Sequence, residues 1–166
     1  MVSPYYSYLK DRVRIKDEHL PALEDNIQRK HLKKGDFLLS RGQVCQNIFF
    51  VEKGILRFYA IDHQGKEHIL QFAPENWWLA DRNNLCNNEP SDYFIDAIED
   101  SIIVVFDHEY IMNASDLSTE FRAFHEQLLQ RRINQLYHRI NLLIGAQAKG
   151  RYLDFLKTYP TITFQV

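Results

Sequence analysis

The chain is 166 residues long, 45% hydrophobic and 25% charged, with a formal net charge of −2. These values suit one soluble globular domain with a helical appendage, and they provide no global field for DNA or an anionic membrane. Two cysteines, Cys45 and Cys86, cannot supply a four-thiolate iron–sulfur cluster, and neither a secretory h-region nor an apolar run of membrane-spanning length occurs, so a cytoplasmic location is expected.

Taken in order, residues 16–30 read as a helix, with Leu20, Leu23 and Ile27 at helical spacing and Asp17 as its N-cap. The period then changes. Lys33-Lys34-Gly35-Asp36 is turn chemistry, and Phe37-Leu38-Leu39 is a short strand. A continuous apolar run at 47–51, an alternating one at 55–61, a turn at Asp62-His63-Gln64-Gly65 and a partner at 67–72 predict further strands. Two more fall at 93–98 and 101–106. Short strands at this spacing predict an antiparallel sandwich or jelly roll.

Residues 69–97 enter as a strand, break at Pro74, and pass through Trp77-Trp78 and an asparagine-rich polar run to the next strand. A polar loop with bulky aromatics between two strands is a ligand cradle or, equally, a surface loop whose tryptophans plug the core. Beyond Phe106 the pattern is helical. Residues 108–113 form a short helix, and Asp116 or Ser118 caps a long one reaching Ile144. Leu129, Ile133, Leu136, Ile140 and Leu143 recur at spacings of four and three, a two-heptad seam suited to a homodimer. Leu117, Phe121, Phe124 and Leu128 form a second apolar set that would pack on the sandwich. Arg131, Arg132 and Arg139 read as a solvated face. A last helix spans 151–159, after a break at Gly145-Ala146 or Gly150.

Four stretches carry a resemblance: L-K-K-G-D-F-L-L-S-R-G at 32–42, I-F-F-V-E-K-G-I-L-R-F-Y at 48–59, G-K-E-H-I-L-Q-F at 65–72 and R-Y-L-D-F-L-K-T-Y-P at 151–160. Together they resemble the sensor half of the Crp/Fnr family of transcriptional regulators over nearly the whole chain. The resemblance implies a mixed β + α fold: an antiparallel cyclic-nucleotide-binding β-roll with short N-terminal helices and a long C-terminal dimerisation helix. It divides the chain into a roll over 1–115, a dimer helix over 116–145, and a short helix over 146–166 leading to a DNA-binding domain outside this sequence.

Two departures shape the functional expectation. Family members that bind cyclic nucleotides carry a Gly-Glu pair and, about ten residues on, an arginine followed by a small hydroxyl residue. Here Ala80-Asp81 and Ser91-Asp92 stand at those positions. The candidate ligand cassette is therefore Trp77, Trp78, Ala80, Asp81, Arg82, Ser91, Asp92 and Tyr93, in degenerate form. Ser91 carries no charge, Asp92 carries the wrong one, and Arg82 is the one cation inside the loop. No cofactor is expected, with cyclic nucleotide disfavoured, and an unknown small-molecule effector is left open. Only Thr161–Val166 follow the last helix, too few for a helix-turn-helix, so DNA contact is expected only through a domain absent here.

Rival classes are a cupin-like metal site and a ligand-free interaction module. The seven histidines, His63 and His68 among them, show no His-x-His pairing with a glutamate, so no metal is expected. No nucleophile motif appears, and catalysis is not expected.

Overall fold

The structure is a computed structural model that describes residues 3–24 and 27–162. It opens with α1 (Pro4–Tyr8), where the Ser3 hydroxyl accepts from the Tyr6 N–H at 3.1 Å and proline occupies the first turn. A π-helical turn at Leu9–Val13 and a short α2 (Leu20–Glu24) follow. The strands are β1 (Gln28–Leu32), β2 (Phe37–Leu39), β3 (Asn47–Lys53), β4 (Leu56–Ile61), β5 (Glu67–Ala73) and β6 (Trp78–Leu79). Helix α3 (Arg82–Asn87) interrupts them before β7 (Phe94–Ala97) and β8 (Ser101–Asp107). Then come α4 (His108–Leu117), α5 (Thr119–Gly145) and α6 (Ala148–Thr158).

Two antiparallel sheets face each other, in the orders β1-β8-β3-β6 and β2-β7-β4-β5. Only the β4–β5 hairpin keeps consecutive strands in one sheet; every other connection crosses over. That is a jelly roll, one of the two architectures the strand spacing allows and the one the resemblance implies, and the long helix follows it as expected.

The unbroken apolar run of β3 has a clear cause. Ile48 and Phe50 point out of the roll into a cluster with Tyr5, Leu9, Val104, Phe106 and Tyr110. Phe49 and Val51 point inward against Leu56, Ile95 and Ile103. Because helices cover one face of this sheet and the second sheet covers the other, both sets of side chains must be apolar. Glu52 ends the run and ties three elements together. Its carboxylate takes Arg29 Nε and Nη2 at 3.0 and 3.1 Å, and also the Tyr5 N–H at 3.1 Å. At the β3–β4 turn Gly54 has φ 90°, and a Cβ there would lie 2.9 Å from the Asp100 carbonyl and closer still to Ser101.

Several expectations are corrected. The helix expected over 16–30 exists only as Leu20–Glu24; Asp25 and Asn26 lie outside the described residues. Gln28–Leu32 is instead a strand registered against β8 from Gln28↔Val105 to Leu32↔Ser101. Of its residues only Leu32 is buried, so local periodicity carried no strand signal, and pairing with β8 decided the conformation. The short N-terminal helices that the resemblance implies are present, α1 among them, whereas α3 has no counterpart in the sequence reading. Ser118 rather than Asp116 caps α5, its hydroxyl accepting from the Phe121 N–H at 3.2 Å. Leu117, expected to pack on the sandwich, is 41% exposed, while Phe121 is buried and Phe124 packs against the same cluster.

Candidate functional site

The loop between β6 and β7 is organised by Asp81. Its carbonyl accepts from the Leu85 N–H at 2.9 Å, and its carboxylate accepts from the Asn83 N–H at 3.2 Å, so it is the N-cap of α3. The other carboxylate oxygen accepts from the Ser91 hydroxyl at 2.6 Å. That hydroxyl in turn accepts from the Tyr93 N–H at 3.0 Å. The Ser91 backbone is held from outside, its carbonyl taking the Gly42 N–H at 2.7 Å and its N–H reaching the Gln43 carbonyl at 2.9 Å. Asp81 and Ser91 are 6% and 3% exposed. Asp81 and Ser91 therefore hold each other. The asparagines of the run have local duties: Asn88 sits beyond the end of α3 at φ 54°, and Asn87 Nδ2 donates to Asn83 Oδ1 at 2.6 Å.

The other cassette residues scatter. Trp78 lies in the helix-side cluster with Phe50 and Phe106, its Nε1 donating to Tyr8 Oη at 3.2 Å, and Ala80 packs there too. Tyr93 packs on Phe58 inside the roll, with centroids 4.9 Å apart. Arg82 and Asp92 are exposed. On α5, burial, the larger cause, and the Arg82 charge together hold His125 below its usual value. The cation beside Asp92 is Arg41, at a loose 4.0 Å.

Along α5 the seam is half-open. Leu129 is half-buried, but Ile133, Leu136, Ile140 and Leu143 are 44%, 45%, 50% and 63% exposed. Two arginines expected on a solvated face are turned toward β5. Arg139 donates to the carbonyls of Ile69 and Leu70, on the free edge of that strand, and Arg132 is half-buried.

Sequence reasoning missed a cavity of about 390 Å³ where β5, α5 and α6 meet. Helix α6 folds back by an aromatic cluster. Phe72 meets Phe155 at 5.9 Å and Tyr159 at 5.6 Å edge-on, and Trp77 lies 5.5 Å from Tyr159. His138 Nε2 and Asp154 Oδ1, 2.8 Å apart, clasp α5 to α6. The signal lay in two spacings that went uncombined: Arg132 and Arg139 seven residues apart on one helix face, and Phe155 and Tyr159 four apart on another.

Histidines elsewhere are local. His68 Nε2 lies 2.7 Å from Asp62 Oδ2 across the β4–β5 turn, and among the described residues no group of three or more His, Cys, Asp or Glu could hold a metal ion. Among the described residues no helix is long and apolar enough to cross a membrane.

The roll agrees with a sequence comparison, in which the model of the cyclic nucleotide-binding domain family matches residues 29–116. The chain belongs to the cyclic nucleotide-binding domain family. The match begins in β1 and ends in α4, so this family's domain is the roll itself, and α5 and α6 follow it. Among solved structures the chain resembles the catabolite activator protein of Thermus thermophilus, at 18% identity and TM-score 0.67, over 85% of this chain and 63% of that one. It resembles a CooA variant from Carboxydothermus hydrogenoformans at 21% identity and TM-score 0.67, over 82% and 58%. The sensor domain of the transcriptional regulator DNR from Pseudomonas aeruginosa matches at 16% identity and TM-score 0.64, over 86% and 95%. The chain thus spans less than two thirds of the first two proteins and nearly all of the third. These neighbours are Crp/Fnr-family regulators, and at such identities the likeness is one of fold. No curated protein sequence matches the chain.

Proposed function

We propose that this chain is the sensor and dimerisation module of a Crp/Fnr-like transcriptional regulator, non-enzymatic, with a cassette closed to cyclic AMP. The observation that carries this reading is the bond from the Ser91 hydroxyl to Asp81 Oδ2 at 2.6 Å. A cyclic phosphate needs a cation and free N–H groups, and a ribose hydroxyl needs a free carboxylate. Here the carboxylate caps a helix and holds a serine, and an exposed Asp92 adds repulsion. A charge-assisted contact of the arginine–phosphate kind is worth roughly 1.5–3 kcal/mol, so its loss alone weakens binding by about tenfold to a hundredfold. The Arg139 contact to the carbonyls of Ile69 and Leu70 supports the second half of the reading. It joins the strand that enters the cassette to the helix whose open seam would pair with a second copy, so a change at one is felt at the other. DNA contact belongs to whatever reader domain the seam helix is joined to in the assembled regulator.

Calorimetric titration with cyclic AMP tests the cassette. No binding at micromolar concentrations is expected. Micromolar binding that Asp81→Asn or Arg82→Ala abolishes would overturn the reading.

A further inference from the structure

Arg132 carries a charge that no ion pair among the described residues answers. It is half-buried on α5, and burial lowers its pKa from the ordinary value. Among the described residues no carboxylate forms an ion pair with it; after burial, Tyr159 beside it opposes the lowering, and Arg139, another cation, adds to it. Its neighbours are otherwise engaged. Arg139 donates to two β5 carbonyls, Arg151 Nη1 to the Ala146 carbonyl at 2.7 Å, and His138 is paired with Asp154. The cavity these groups line therefore carries three guanidinium groups against one carboxylate, and one guanidinium has nothing to hold. Removing a cation from water without a partner is unfavourable, and an anion entering the cavity would supply the partner.

The rest of the wall says what the anion carries. Phe72, Trp77 and Tyr159 present ring faces and edges, and Leu136 and Leu143 complete an apolar surface around a volume of about 390 Å³. That volume falls in the range of small-ligand sites, and an apolar lining with few polar groups is what such sites use to orient a ligand. We infer that the β5–α5–α6 cavity binds a small planar organic anion, its ring against Trp77 and Tyr159 and its negative group on Arg132. The site is separate from the Asp81–Ser91 cassette, so the two stand or fall independently. Because α6 supplies one wall, an occupant would fasten α6 to β5.

The test uses the full chain with indole-3-acetate, its neutral amide and cyclic AMP as probes, read by calorimetry. The acid should saturate a single site per chain, and the amide should bind about tenfold more weakly or worse. Arg132→Gln should bring the acid down to the affinity of the amide, while Arg131→Gln, one residue away and exposed, should leave it unchanged. Bound acid should also slow amide hydrogen exchange in Ala148–Thr158. Equal affinity for acid and amide, wild-type affinity in a folded Arg132→Gln variant, or no saturable binding of the acid would each overturn the inference. Cyclic AMP binding lost in Arg132→Gln would assign the planar anion to a cyclic phosphate in this same cavity. If that binding instead persisted in Arg132→Gln and vanished in Asp81→Asn, it would overturn the closed cassette.

Discussion

Ser91 and Asp81 show how two side chains convert a binding loop into a self-satisfied one. A serine hydroxyl can donate and accept at once, and here it does both, toward Asp81 Oδ2 and from the Tyr93 N–H. Ser91→Ala keeps the volume but leaves a buried carboxylate oxygen and a backbone N–H with one partner fewer. A loss of about 1–3 kcal/mol in urea unfolding is expected; an unchanged midpoint would mean the pair holds nothing. The adjacent tryptophans make a related point. Successive residues of an extended chain face opposite ways, so Trp78 enters the helix-side cluster while Trp77 borders the inter-sheet cluster and the α6 cavity. The sequence placed two large rings in the loop, but residue types alone left plug and cradle as equal readings. Trp78 is a plug, and Trp77 lines a cavity that neither reading contained.

At the scale of elements, α5 is two helices in one. Its first turns are anchored by buried Phe121 and by Phe124, packed against Trp78 at 6.3 Å and Tyr8 at 5.9 Å. Beyond Leu129 it runs along the roll with its seam uncovered. His125 stands near the boundary, half-buried and depressed first by burial, then by Arg82, with His108 adding to the effect and Glu126 opposing it. A histidine depressed in the fold takes its proton more readily when unfolded. Its contribution to stability is thus complete above the unfolded value near 6.5 and is lost as pH falls toward the folded value. His125→Gln should flatten the decline in unfolding free energy between about pH 7 and about pH 5, measured by urea titration at each pH. An identical decline in the variant would remove His125 from the account. Strand β1 belongs to this scale too. Its polar pattern, Gln28-Arg29-Lys30-His31, is that of an exposed edge, and charged edges guard a sheet against pairing with other chains.

For the whole molecule the open question is what covers the seam. Four apolar side chains about half exposed at heptad spacing suit a second copy of the same helix, each knob finding the other's holes. Leu136→Asp places a charge in the middle of that seam. Monomers by light scattering are the expected result, and a dimer of unchanged mass would remove the seam from the proposal. Leu136 and Leu143 also border the α6 cavity, so occupancy of the cavity and pairing of the seam share side chains. The clasp from His138 to Asp154 and the aromatic cluster around Phe72 hold α6 to the same roll. The long helix and the last helix thus meet along one strand, β5.

The sequence alone determined an antiparallel sandwich or jelly roll, the long helix, its apolar seam and the absence of a cation at Ser91. Each depends on side-chain period or on the identity of one residue at one position, and those are local properties of the chain. Tertiary structure alone decided that residues 28–32 become a strand, that Asp81 faces Ser91 across ten residues, and that Arg132 is enclosed with Phe72 and Tyr159. The reason is physical: burial and partner choice are set by the closure of distant segments upon one another. Of two arginines on a helix that read as solvated, one is engaged by a strand edge while still exposed, and the other is half-buried where a helix folds back.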